Sequence, residues 1–277
     1  MKYKLLHIKI INSSQENKLN FPIVLLRGLG RSMSFWLGFQ EELSKHFDVI
    51  LIDLLGTGGS KDLFGRSSIL SFAEDVLFTL NYYNFKNFHL AGISMGGMVA
   101  IEISELITKE IWQEIKIKSI IVMASSAGGA FTKRIYFKPL VLIFISLLFS
   151  FFHGKISHKY YAKYLTSNLQ LLEENKIINT WDRIWQTESF SRIALLRQLL
   201  AAAFFKIRLS KKKLKYNFMF LVSKNDALVP WINSIYLWQN FPLSELIVLN
   251  NLGHDLTTDN PQLIAKILND FSKKFDA

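Results

Sequence analysis

The stretch Gly92-Ile93-Ser94-Met95-Gly96 decides the fold. It follows an apolar run typical of a β-strand at residues 87–91, and it opens a run typical of a helix at residues 95–106. In a G-x-S-x-G motif between a strand and a helix, the chain turns so sharply that the serine is strained and its hydroxyl is exposed. A Cβ at Gly92 or Gly96 would collide with the neighbouring strand or helix. We therefore predict a nucleophile elbow with Ser94 at its tip. A chance match to the motif is the alternative, and the flanking strand and helix disfavour it.

An acid and a histidine follow Ser94 in an order that suits a catalytic triad. Asp226 comes just after a predicted buried strand at residues 217–223, and His254 follows another at residues 245–250. The carboxyl ends of such strands are where α/β sheets build their sites. A serine hydroxyl needs an adjacent base, and the base needs an acid that fixes its tautomer. The order predicts Ser94 as nucleophile, His254 as base and Asp226 as the orienting acid.

Two other acids lie close to His254. Asp255 adjoins it, but the side chain of an immediate neighbour rarely points at the same ring. Asp259 stands near Pro261 and is typical of a helix N-terminus, so Asp226 remains the favoured acid. The other histidines lack a position at a strand end, and we predict them to be surface or packing residues: His7, His46, His89, His153 and His158.

Two glycine-containing loops follow predicted strands. Acyl transfer needs two backbone N–H donors for the developing oxyanion. We predict these donors to be Met95, after the nucleophile, and Leu29, in the loop Arg27-Gly28-Leu29-Gly30. An ordinary loop is the alternative reading of Gly28 and Gly30. The second loop, residues 54–60, lacks the Gly-Lys-Ser/Thr and G-x-G-x-x-G patterns of phosphate loops.

Over nearly its whole length the chain resembles the α/β-hydrolase superfamily, and within it the small bacterial carboxylesterases, including the pimeloyl-acyl-carrier-protein methyl ester esterase group. The pieces that match the superfamily are residues 27–30 with Trp36, and residues 53–60, 92–97, 123–126, 226–230 and 253–254. Residues 197–202 and 253–256 resemble one branch of the esterase group. The resemblance implies an α/β fold with a mostly parallel sheet, helices on both faces and an inserted helical cap. There are two departures: Arg27 stands where the family usually has His, and Leu55 where it usually has Pro.

The length and composition fit one enzyme domain with an insertion. At 277 residues, half of them apolar, the chain can bury a large core. The alternation of strands and helices stops after residues 119–124 and resumes at residue 217. We therefore predict a catalytic domain at residues 1–130 and 217–277 and a helical cap at 131–216. The chain has no cysteine, and neither a metal nor an organic cofactor is expected. The amino-terminal apolar run is too short for a signal peptide, which predicts a cytoplasmic protein.

The positive charge is concentrated in the predicted cap. Residues 131–216 hold 16 Lys and Arg and 4 Asp and Glu, whereas the whole chain has a net charge of +11. A basic cap over a nearly neutral domain suggests an anionic partner at the site mouth: an acyl carrier protein, an anionic lipid surface or an anionic substrate. A solvated basic surface is the alternative. Nucleic acid is not expected, because no recognised binding motif is present.

An almost wholly apolar run at residues 139–152 lies inside the cap. It is shorter than the about 20 residues that a transmembrane helix needs. Three interpretations stay open: a cap helix buried on the catalytic domain, the lining of an acyl-chain pocket, or a segment in a membrane interface with flanking lysines on headgroups. The last would make the protein peripheral to the inner membrane.

These features predict hydrolysis of a hydrophobic carboxylic ester through an acyl-enzyme. A small or medium acyl ester is the first choice of substrate. One alternative is a lipase-like or lysophospholipase-like enzyme, and another is a hydrolase of acyl-carrier-protein esters. In both alternatives the basic cap would contact the anionic partner. A third alternative is a catalytically idle binding module of the same fold. The oligomeric state is left open. A dehalogenase is disfavoured because Ser94, and not an aspartate, occupies the elbow.

Overall fold

The computed structural model describes most of the chain. The described residues are 3–63, 65–127, 134–139, 141–142, 145, 158–167, 177–188, 191–207 and 216–277. Much of the apolar run at residues 139–152 and the basic stretch at 211–213 lie outside them. No helix among the described residues is long and apolar enough to cross a membrane.

A seven-stranded sheet runs through the centre of the protein. Its strands are β1 (Ile8–Ile11), β2 (Ile23–Leu26), β3 (Val49–Ile52), β4 (Asn87–Ile93), β5 (Lys116–Met123), β6 (Phe218–Ser223) and β7 (Ser244–Leu249). Their spatial order is β1-β3-β2-β4-β5-β6-β7. Only β1 is antiparallel to its neighbour, and the other pairs are parallel. The carboxyl ends of β2 to β7 therefore meet at one edge of the sheet.

Helices cover both faces of the sheet. Those with both ends among the described residues include α1 (Phe39–Leu43), α2 (Ile69–Tyr82), α3 (Met95–Leu106), α4 (Lys159–Leu165), α5 (Ile177–Glu188), α6 (Arg192–Phe204), α7 (Ile232–Gln239), α8 (Leu256–Asp259) and α9 (Pro261–Lys273). Side chains of α2, α3 and α7 share one buried cluster with the sheet, as Phe72, Val99 and Leu237 illustrate. Those of α1 and α9 form a second cluster on the opposite face, which includes Phe39 and Leu268.

Local sequence explains where these elements lie. Every residue of β2, β3 and β6 is buried, as expected for parallel strands covered on both faces. Helix α2 begins with a capping box in which Ser68 and Ser71 bond each other's backbone amides. Helix α9 begins at Pro261, with the side chain of Asn260 as its N-cap.

The predicted α/β class is confirmed, with a mostly parallel sheet and helices on both faces. Boundaries differ by a few residues: β5 begins at Lys116, three residues before the predicted start. The described residues between β5 and β6 contain the helices α4, α5 and α6 and no strand. The division into a catalytic domain and a cap stays a prediction.

Candidate active site

Ser94 lies between the end of β4 and the first residue of α3. Its backbone has φ 56° and ψ −118°, a conformation that L-residues rarely adopt. Such a backbone costs about 1–3 kcal/mol and persists only where its surroundings enforce it. Here Ser94 N–H donates to Met123 O at 2.9 Å, and Ser125 Oγ donates to Ser94 O at 2.8 Å. The strand–turn–helix geometry thus presents the Ser94 side chain at the carboxyl edge of the sheet.

Three glycines allow the chain to pack tightly around Ser94. A Cβ on Gly92 would lie 2.2 Å from Gly96 O, and one on Gly96 would lie 2.2 Å from Leu26 O. Both contacts are with backbone atoms, which cannot move aside easily. A Cβ on Gly28 would approach the Ser94 Cβ to 3.1 Å and its Oγ to 3.6 Å. The loop after β2 therefore runs directly beside the serine.

His254 and Asp226 form a buried pair near the serine. His254 Nδ1 lies 2.8 Å from Asp226 Oδ2, and both side chains are almost fully buried. The other oxygen of Asp226 accepts the N–H groups of Leu228 and Val229, each at 2.8 Å. These bonds orient the carboxylate toward the ring. Ser94 and His254 line one cavity without a hydrogen bond between them, and such contacts commonly tighten only in a substrate complex.

The two residues predicted to supply the oxyanion donors line the same cavity. Leu29 and Met95 both line it, and neither N–H donates a hydrogen bond within the described part of the chain. The neighbouring N–H of Gly30 is bonded to Gln198 Oε1 at 2.8 Å, and Gln198 Nε2 donates to Leu55 O at 3.0 Å. Gln198, on α6, thus fixes the loops after β2 and β3.

Asp255 points away from His254, toward two arginines. Arg27 donates to both of its oxygens, at 3.1 and 2.8 Å, and Arg31 Nη1 donates to Oδ2 at 2.9 Å. Burial alone would raise the pKa of Asp255, but attraction to Arg27 and Arg31 holds this pKa well below its usual range. Burial lowers the pKa of Arg31 to about 10, so Arg31 and Asp255 are both charged at neutral pH.

Asp259 does not cap a helix as the sequence suggested, because Asn260 holds that position. The Asp259 carboxylate accepts the Gly253 N–H at 2.5 Å, the Ser167 N–H at 3.1 Å and the Thr166 hydroxyl. It therefore ties the histidine loop to the end of α4. Thus the carboxylate in contact with His254 is that of Asp226. The carboxylates of Asp255 and Asp259 instead bond groups of the surrounding loops.

Sequence reasoning missed two polar residues of the cavity wall, His158 and Tyr161. His158 is buried, its Nδ1 lies 2.6 Å from Asp182 Oδ1, and its ring packs against Tyr161, on α4. Burial lowers the pKa of His158 and raises that of Tyr161, so both side chains are neutral at pH 7. His89 does pack in the core, between Ser119 and Asp276.

The cavity has a volume of about 160 Å³ and lies between the carboxyl edge of the sheet and α4 to α6. Most of its wall is apolar. Its charged and titratable side chains are Arg27, Arg31, Arg134, His158, Tyr161, His254 and Asp255. The guanidinium of Arg134 donates hydrogen bonds to the backbone oxygens of residues 126, 202, 203 and 205. These bonds hold the Arg134 side chain against the cavity wall.

The fold and this arrangement define an α/β hydrolase. A family profile described as "alpha/beta hydrolase fold" matches residues 22–261. The chain therefore belongs to the α/β-hydrolase family and is a hydrolase, as its sequence predicted.

Several known proteins to which this chain is similar carry the names of hydrolases. One is the "Putative carbamate hydrolase RutD" of Pseudomonas savastanoi pv. phaseolicola, 26% identical over 250 residues that cover 90% of this chain and 92% of that protein. The fold is similar to that of a thermophilic esterase from Thermogutta terrifontis, with a TM-score of 0.77, 18% identity and coverage of 98% and 94% of the two chains. It is also similar to the enol-lactonase from Burkholderia xenovorans LB400, with a TM-score of 0.75, 19% identity and coverage of 97% and 96%.

Proposed function

We propose that the protein is a serine hydrolase that cleaves a carboxylic ester through an acyl-enzyme. The observation that carries this proposal is the position of His254, which lines the same cavity as Ser94 and whose Nδ1 lies 2.8 Å from Asp226 Oδ2. The strained elbow, the unbonded amides of Leu29 and Met95 and the family membership support it.

In the first half-reaction, Ser94 Oγ attacks the ester carbonyl carbon while His254 Nε2 takes the hydroxyl proton. Asp226 holds Nδ1–H of His254 and stabilises the imidazolium that forms. The N–H groups of Leu29 and Met95 bind the oxyanion of the tetrahedral intermediate. Its collapse breaks the ester C–O bond, and His254 gives its proton to the leaving alcohol.

The second half-reaction repeats these steps with water. His254 takes a proton from water as the water oxygen attacks the acyl carbon. The second tetrahedral intermediate then collapses, breaks the bond to Ser94 Oγ and releases the carboxylic acid. His254 returns the proton to Ser94. Every group required belongs to this chain.

The cavity favours a small, largely apolar acyl group. A cavity of about 150 Å³ lined by apolar side chains holds a molecule the size of benzene, and the volume here is about 160 Å³. A short acyl ester is therefore the first substrate class to test. Long acyl chains, and esters of an acyl carrier protein, are the alternatives that the basic cap suggests.

The test is turnover of short p-nitrophenyl esters together with labelling by a fluorophosphonate. We expect Ser94→Ala to lose both, with a fall in kcat on the order of 10⁶. Ser44→Ala is the matched control, because the Ser44 hydroxyl bonds only the backbone oxygen of Glu41, far from the cavity. A folded Ser94→Ala protein that keeps more than a few per cent of activity would contradict the mechanism. If the fluorophosphonate does not label the wild-type protein and the protein turns over no ester, the result would favour a catalytically idle binding module of the same fold.

A second candidate is hydrolysis of a carbamate, which the name of the curated relative suggests. The same nucleophile, base and oxyanion donors would serve, because a carbamate also passes through a tetrahedral intermediate. The two functions are separated by kcat/KM on an ester and on a carbamate with the same leaving group. Because an ester is intrinsically more reactive than a carbamate, each kcat/KM is divided by the uncatalysed hydrolysis rate of the same substrate, and the substrate with the larger ratio identifies the function.

A further inference from the structure

The cavity wall contains a cluster of charges that the proposed mechanism does not use. Arg27, Arg31 and Asp255 are in direct contact, and all three line the cavity. Their side chains are 2%, 11% and 3% exposed. Within this cluster, two positive charges and one negative charge leave an excess of one positive charge.

The guanidinium of Arg31 is held in one orientation. It stacks over the rings of Phe35 and Trp181, at 4.8 and 4.5 Å from the ring centres. Its Nη1 donates to Asp255, whereas its Nη2 is buried without a hydrogen-bond partner. A buried cationic nitrogen without a partner is costly, so the geometry favours a ligand that brings an acceptor.

The other acids on this side of the cavity form hydrogen bonds with groups other than Arg31. The carboxylate of Asp182 accepts the backbone N–H of His158 and also lies within hydrogen-bond distance of Nδ1 of the same residue. Burial favours the neutral forms of His158 and Tyr161. The triad carboxylate of Asp226 is directed at His254 and at two backbone amides. An anionic group would thus find at Arg31 a fixed donor inside a largely apolar cavity.

We infer that the substrate of this site is a short acyl ester that carries a second, anionic group, such as a carboxylate, which Arg31 recognises. This inference rests on the proposed function and specifies its substrate class. The simplest molecules of this class are half-esters of dicarboxylic acids. One end of such a molecule reaches Ser94 and the other end reaches Arg31.

The test compares matched esters that differ only in charge. Monomethyl succinate is compared with methyl levulinate, in which an acetyl group replaces the free carboxylate, and longer half-esters are compared with their keto counterparts. We expect wild-type kcat/KM to favour the half-ester of the best length by about tenfold to a hundredfold, as for a charge-assisted hydrogen bond. Arg31→Met should bring the ratio close to one, and Arg31→Lys should keep part of the preference.

Arg66→Met is the matched control, because Arg66 is an exposed arginine paired with Glu74. It should leave the ratio unchanged. If Arg31→Met does not fold, binding of both esters to Ser94→Ala is measured by calorimetry, and tighter binding of the half-ester supports the inference.

The outcomes separate the two proposals. Fluorophosphonate labelling with equal hydrolysis of both esters would overturn the inference and leave the serine mechanism standing. An equal loss of both activities in folded Arg31→Met would also overturn it, because Arg31 would then serve the reaction centre. Absence of labelling and of turnover would defeat the proposed function, and equal binding of both esters by Ser94→Ala would then defeat the inference as well.

Discussion

At the scale of single residues, Asp226 and Asp255 share a chemistry and differ in their surroundings. Asp226 meets a histidine and two backbone amides, whereas Asp255 meets two arginines. The first arrangement orients a base. The second arrangement offsets part of the buried positive charge of Arg27 and Arg31. Replacing each acid by its amide should therefore affect different properties of the protein.

We expect Asp226→Asn to fold and to lose catalysis. The amide oxygen can still accept the N–H groups of Leu228 and Val229, so the loop keeps its hydrogen bonds. It cannot stabilise the imidazolium of His254, and kcat should fall by about 10⁴. Steady-state kinetics and a melting curve check this. A variant that keeps wild-type kcat would show that Asp226 is not the catalytic acid.

Asp255→Asn should instead lower stability. Removing the charge leaves Arg27 and Arg31 buried with a weaker partner, which costs about 3–5 kcal/mol in comparable buried pairs. Urea unfolding at neutral pH measures the loss. A large fall in kcat with unchanged stability would contradict this role.

The same ion cluster makes stability depend on pH. The pKa of Asp255 is lower in the folded protein than the about 3.9 of an unfolded chain. Its contribution is therefore fully present above about pH 5 and is lost as pH falls below that value, where the unfolded chain binds the proton more tightly. Asp255→Asn should have a flatter stability curve than the wild type in this acid range.

At the scale of elements, α6 holds the loops after β2 and β3, and the first of these loops carries the proposed oxyanion donor Leu29. Gln198 bonds the Gly30 N–H and the Leu55 carbonyl, and Ala194 packs against Gly56, where a Cβ would lie only 2.2 Å away. The geometry of the Leu29 amide therefore depends on a helix that lies almost 170 residues further along the chain.

Gln198→Leu should weaken catalysis and stability together. It leaves the buried Gly30 N–H without an acceptor, which costs about 1–3 kcal/mol. The released loop should also lower kcat, because the Leu29 donor loses its fixed position. Leu196→Ala on the same helix is the control, because Leu196 is 54% exposed. If the Gln198→Leu variant is destabilised but keeps the wild-type kcat, the position of the Leu29 amide does not depend on α6.

The parts of the site that sequence predicted are those encoded locally. The elbow is five consecutive residues, and Asp226 and His254 each follow a recognisable strand. The contact of Arg27 with Asp255 joins residues 228 positions apart, and no local pattern in one sequence indicates such a pair. His158 was missed because its position depends on how α4 and α5 pack. Asp259 and Asn260 are both suitable N-caps, and only the three-dimensional structure separates them.

At the scale of the whole molecule, the uneven charge remains a prediction about partners. Exposed cations of the described part of residues 131–216 include Lys163, Arg183, Arg197 and Lys206. An attraction between these residues and an anionic surface would be screened within about 8–10 Å at physiological salt. Binding that depends on them should therefore weaken as salt rises.

We expect sedimentation with phosphatidylglycerol vesicles at low salt, and none with phosphatidylcholine vesicles. Reversal of three of these charges, K163E, R183E and K206E, should abolish the binding. Reversal of three exposed lysines elsewhere, K45E, K109E and K273E, is the control for net charge. No binding to either vesicle at low salt would leave an acyl carrier protein, or solvent alone, as the partner of this surface.

The ion pair between Arg27 and Asp255 also has a consequence for biosynthesis. A ribosome makes the arginine, and the serine of the elbow, long before it makes the histidine loop. Until residue 255 emerges, the nascent chain contains a candidate nucleophile without its base and two arginines without their counter-ion. Assembly of the proposed catalytic residues and neutralisation of the arginines thus both wait for the segment that carries His254 and Asp255. We expect a chain whose translation stops before this segment to be inactive and less stable than the full chain, and therefore more readily cleaved by proteases.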